Sequence, residues 1–79
     1  MKHARKDYNR IQDPEKKIGE TEPVFLIRAK DKCMIPAMEA WLSAAIFCGV
    51  DTAMIVSVAD HIKLTKKWQQ GNGSKTPDL

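Results

Sequence analysis

The chain has 79 residues, 43% of them hydrophobic, with thirteen basic against ten acidic side chains and a net charge of +3. That length holds at most one small domain whose own core gives only marginal stability, so self-association is the expected source of further burial. The two cysteines, Cys33 and Cys48, stand alone, and neither a secretory signal nor a membrane-length apolar run occurs, which points to a reduced, cytoplasmic setting without membrane contact.

The excess charge lies at the start. Residues 1–17 hold six basic and three acidic groups, whereas 18–35 and 36–79 each sum to zero. Residues 1–19 therefore read as a basic arm. Few apolar residues punctuate it, and Asp13-Pro14-Glu15 is a turn signal, because proline disfavours the helical conformation at the residue before it. Tyr8, Arg10 and Ile11 are placed to lie along a strand edge or over a groove.

Residues 20–70 form the expected folded domain. Four consecutive apolar residues, Val24 to Ile27, follow Pro23 and lead into Arg28-Ala29-Lys30-Asp31, the pattern of one short, buried strand. No second apolar run has the composition to complete a ladder. The partner is expected to be either the polar arm or another copy of the chain.

Pro36 suits the first turn of a helix, where a missing N–H does no harm. From position 37 to 48 the only polar side chains are Glu39 and Ser43, so the helix is apolar almost all round and calls for burial on more than one side. One partner helix cannot supply that. Gly49 is a left-handed cap and Asp51 an N-cap. A second helix from Thr52 to about Trp68 turns Ile55, Val58, Ala59 and Ile62 to the core, and the short connection makes an antiparallel helical hairpin. Residues 71–79 have the composition of a disordered tail. The expected fold class is thus α+β: a small single domain with an N-terminal arm, one short strand and a helical hairpin, assembled as a homo-oligomer.

Several chemistries were weighed from residue types. A thiol nucleophile needs a base and a lowered pKa; Cys48 at a helix C-terminus has the wrong dipole, Cys33 precedes a helix whose N-terminus favours a thiolate, and His61, at the margin of the second helix's apolar face, is the candidate base for either. Two small hydrophobes and a boundary histidine are the simpler reading. Cys33, Cys48 and His61 match no standard zinc spacing. Nucleic-acid binding would rest on the arm, through Lys2, Arg5, Lys6, Arg10, Lys16 and Lys17, yet a basic folded domain, the usual footprint, is missing. The cluster with most chemical content is Arg10, Arg28, Lys30 and Lys32, with Asp13 and Asp31 beside them. Repeated around a symmetry axis it makes a basic pocket that holds phosphate, the carboxylates accepting from a ribose or base and Tyr8 or Trp41 stacking. The plainer alternative for the same residues is salt bridging within and between subunits.

Arg10-Ile11-Gln12-Asp13-Pro14, then Glu22-Pro23-Val24-Phe25-Leu26-Ile27-Arg28-Ala29-Lys30-Asp31 and a following helix with Trp41, resemble a group of small phage and prophage proteins. The resemblance covers about residues 8–42. This chain departs from the pattern at Cys33-Met34-Ile35, where a better helix cap is expected. The group brings no activity and no catalytic residue. What it implies is context: small phage accessory proteins of this kind often bind and block something in the host.

The functional expectation is a non-enzymatic counter-defence protein in the host cytoplasm. It needs no cofactor or metal, and sequesters a small phosphorylated, nucleotide-type signal through Tyr8, Arg10, Asp13, Arg28, Lys30, Asp31 and Lys32 at subunit interfaces. The alternatives are a protein-contact inhibitor or adaptor of a host protein, presenting the first helix or a free strand edge, and weak nucleic-acid binding through the arm.

Overall fold

The computed structural model describes residues 2–3 and 13–77. Its elements are β1 (Lys2–His3), β2 (Pro23–Val24), α1 (Met34–Phe47) and α2 (Thr52–Asn72), a small α+β arrangement in which the two helices pack as a hairpin.

The strand is shorter than its sequence suggests, which corrects the expectation of one extended run through residue 31. Only Pro23 and Val24 pair, in parallel, with Lys2 and His3. The arm is therefore the partner, and the pairing lies within one chain. Two paired residues without a third strand make a ladder that sustains itself poorly, and Pro23 has no N–H to give it. Beyond the pair the apolar run leaves regular structure: Val24 and Ile27 are half-buried, whereas Phe25 is 67% exposed.

Upstream of β2, Asp13 builds the expected bend with its own side chain. One carboxylate oxygen accepts from the Lys17 N–H at 3.1 Å and the other from the Ile18 N–H at 3.0 Å. The Asp13 carbonyl accepts from Lys16 N–H at 3.0 Å. Lys16 sits at φ 51°, a left-handed conformation that an L-residue adopts at some cost.

α1 starts without a side-chain cap on Cys33. Asp31 supplies what is missing: its carboxylate accepts from the Cys33 N–H at 2.6 Å and its carbonyl from the Met34 N–H at 3.1 Å. Pro36, in the first turn, removes one donor from those that need satisfying. The far end closes in a Schellman arrangement. Gly49 N–H donates to the Ile46 carbonyl at 3.2 Å and Val50 N–H to the Ala45 carbonyl at 3.0 Å, with Gly49 at φ 75°. Asp51 then caps α2 through the Ala53 N–H at 2.8 Å.

The helix interface is narrow. Met34 and Ala45 of α1 and Ile62 and Thr65 of α2 are the buried residues among those described, flanked by half-buried Ile35, Met38, Leu42, Ile55, Val58 and Ala59. Thr65 is 2% exposed and donates its hydroxyl to the His61 carbonyl at 2.8 Å, so the polar atom in the core is satisfied. α1 is not buried all round within one chain: Trp41, Ile46 and Phe47 are exposed.

α2 runs four residues past the expected end at Trp68, and the boundary placed at residue 71 falls inside it. Gly73 closes it at φ 76°, its N–H donating to the Gln69 carbonyl at 2.7 Å. The chain then returns to the segment before α1. Lys75 N–H donates to the Lys30 carbonyl at 2.8 Å and Lys32 N–H to the Lys75 carbonyl at 2.9 Å, forming a parallel bridge between Asp31 and Lys75. The Gln69 amide donates to the carbonyls of Ala29 at 2.8 Å and Asp31 at 3.3 Å. Residues assigned from composition to a tail thus hold the start of α1, because backbone groups on both sides satisfy each other.

Two stability changes follow. Gly49→Ala meets no steric obstacle, since nothing lies within 4 Å of the added carbon, so its cost is the left-handed conformation alone, about 1–2 kcal/mol; Gly49→Asn is expected to cost less in the same thermal melt. Gln69→Ala takes the amide donor from the part-buried Ala29 carbonyl and leaves the Asp31 carbonyl with the Met34 N–H; it is expected to cost about 1–3 kcal/mol, with amide exchange rising first at residues 29–33.

Candidate ligand-binding site

The structure gathers Arg28, Lys30, Asp31 and Lys32 on one turn between β2 and α1. Its backbone is fixed by the Asp31 N–H donating to the Arg28 carbonyl at 3.0 Å, together with the bridge to Lys75 and the Gln69 amide described above. Four charged groups therefore sit on a scaffold tied to the end of α2.

Their side chains differ in what they are free to do. The Lys30 ammonium donates to the Asn72 carbonyl at 3.1 Å, where a cation also complements the C-terminal end of the α2 dipole. Lys30 is half-buried and its charge is spent largely on the fold. One oxygen of Asp31 is committed to the Cys33 N–H. Arg28 and Lys32 are exposed, and neither side chain makes a hydrogen bond or ion pair among the described residues. These two are the cations available to an anion.

Asp13 belongs to the separate turn upstream, both oxygens occupied by backbone N–H groups. Its position there is structural. Tyr8 and Arg10 lie outside the described residues. Trp41 is exposed on α1.

Gln69 and Lys75 are participants that sequence reasoning missed. Gln69 carried a signal: it continues the core-facing spacing of Ile62 and Thr65 on α2, so a polar side chain there needs an internal partner. Lys75 carried none, since a single basic residue in a polar segment gives no hint of a backbone bridge.

Cys33 is exposed. Its thiol is pushed above its ordinary range, chiefly by the Asp31 charge beside it, with partial loss of water and a hydrogen bond to the same carboxylate adding to the effect. A nucleophilic thiol needs the opposite shift. Cys33 and Cys48 flank α1 at its two ends, about 22 Å apart at 1.5 Å per residue, which separates the ligands of the zinc site weighed above. Among the described residues no three His, Cys, Asp or Glu side chains come together as a metal site, and no helix is long and apolar enough to cross a membrane.

The sequence matches no protein-family model, and the comparisons with curated proteins and with solved structures return no match.

The Asp31 effect on Cys33 is measurable by alkylation in a Cys48→Ser background. Asp31→Asn keeps an oxygen for the Cys33 N–H while removing the charge. Iodoacetamide is expected to react several-fold faster at neutral pH, with the pH–rate curve moved to lower pH; an unchanged curve would show that Asp31 does not control the thiol.

Proposed function

We propose that the protein is a non-enzymatic binding protein that sequesters a small phosphorylated ligand of nucleotide type, in basic pockets where copies of the chain meet. The observation that carries this reading is the turn at 28–32. It holds Arg28 and Lys32 exposed on a backbone hydrogen-bonded to α2 and Lys75, with no ion pair to a carboxylate among the described residues. Fixed cations of this kind bind phosphate without first losing the entropy of an ordering loop. Arg28 offers paired donors to two phosphate oxygens, and Lys32 a point charge beside them.

The phage setting comes from the resemblance described above. In it, capture of a host immune signal is the expected purpose, and the protein acts in the cytoplasm of the host cell. Asp13 and Asp31 take positioning roles on this reading, since their carboxylates hold the two turns.

A second reading, contact inhibition of a host protein, draws on the outer side of α1. Phe47 is 91% exposed and Ile46 beside it 61%. An aromatic anchor of that kind is a common centre of a protein contact.

Native mass spectrometry of protein taken directly from phage-infected cells tests both, followed by calorimetric titration with a panel of cyclic mono- and dinucleotides. Sequestration predicts a releasable nucleotide and at least a tenfold loss of affinity in Arg28→Glu with assembly unchanged. Unaltered affinity in that variant overturns the assignment of the turn. A nucleotide-free protein that instead carries one host polypeptide favours the second reading.

A further inference from the structure

α2 carries a second stripe that the hairpin leaves open. Met54, Ser57, His61, Leu64, Trp68 and Gly71 recur at alternating steps of three and four residues, the spacing of a coiled-coil seam. At 100° per residue this stripe is centred roughly a third of a turn from the core stripe of Ile55, Val58, Ile62, Thr65 and Gln69. All six seam residues are exposed, with Met54 at 53%, Leu64 at 59% and Trp68 at 41%. The charged residues Asp60, Lys63, Lys66 and Lys67 all fall outside it.

We infer that this seam is where two copies of the chain pack, with their α2 helices antiparallel about a two-fold axis between Ile62 and Lys63. The sizes along the seam select that arrangement. Trp68 then opposes the partner's Ser57, Met54 opposes the partner's Gly71, and His61 opposes the partner's Leu64. Large side chains meet small ones in every outer layer, as close packing requires. A parallel pair would stack Trp68 on the partner's Trp68 and leave Gly71 facing the partner's Gly71, which is crowded at one layer and empty at the next.

The charges select it too. Asp60 and Lys67 flank the seam on the same side, seven residues apart, and neither makes an ion pair among the described residues. In the antiparallel register Asp60 comes beside the partner's Lys67, and symmetry repeats the pair. The seam is about 26 Å long at 1.5 Å per residue. Because α1 and α2 run in opposite directions, their common handedness turns Trp41 and Ala44 of α1 to the same side as the seam. The two hairpins then meet as a four-helix bundle.

This interface keeps one side of α1 from the surface expected from sequence, adds α2 in place of the strand, and rests on α2 independently of any nucleotide. It also constrains the proposed pockets. The two Asn72 residues lie about 28 Å apart along the axis, so each 28–32 turn stands next to the partner's α1–α2 connection rather than next to the partner's turn.

Sedimentation velocity on the full chain, with helicity followed by circular dichroism, tests the inference. Leu64→Glu is expected to weaken the dimer by roughly a hundredfold or more, since it removes the apolar contact at the centre of the seam and puts there a carboxylate that must lose its water, while Val56→Glu, on a similarly open position outside the seam, leaves it intact. Asp60→Lys weakens association and the pair Asp60→Lys with Lys67→Asp restores it. A wild-type monomer at 100 µM, or a dimer indifferent to Leu64→Glu, overturns the interface. Failure of the double swap to rescue overturns the antiparallel register, and one-to-one capture of a host protein that Leu64→Glu abolishes assigns the seam to that partner instead.

Discussion

The clasp between residues 29–32 and 69–75 is the constraint on which the rest depends. Backbone donors and acceptors from two segments about forty positions apart satisfy each other there, and the Gln69 amide ties the same carbonyls to α2. The helix interface alone buries only Met34, Ala45, Ile62 and Thr65 among the described residues. A core that small leaves polar closure to fix the geometry. Once the clasp is made, Asp31 is in place to start α1, and Arg28 and Lys32 are held outward by the same turn.

That economy has an electrostatic side. Asp13 and Asp31 look like ligand-binding carboxylates in the sequence because they neighbour basic residues. Both are used instead to terminate backbone N–H groups. Among the described residues Arg28 and Lys32 make no ion pair, while both oxygens of Asp13 and one of Asp31 accept from backbone N–H groups. The same Asp31 charge that supports the helix start raises the pKa of the Cys33 thiol.

How much could be read in advance follows from the range of each interaction. Gly49 and Asp51 announce their roles because a left-handed cap and an N-cap are decided within a few residues, and the core face of α2 was legible from its spacing. The length of β2 was not, since an apolar run specifies burial without specifying which neighbours will pair with it. Nor was the clasp: the Gln69 contacts join positions 40 and 38 apart in sequence, and nothing local to Lys75 foretells its bridge. The candidate site was half visible. Its residue types and their adjacency at 28–32 were plain, but which charges remain available depends on hydrogen bonds made by distant parts of the chain.

The clasp also orders events during synthesis. Residues 29–32 are made before 69–75 exist to receive them, so the start of α1 and the cationic turn are without these partners while α2 is being synthesised. The long sequence separation of these contacts makes their closure entropically more costly than that of the hairpin they complete.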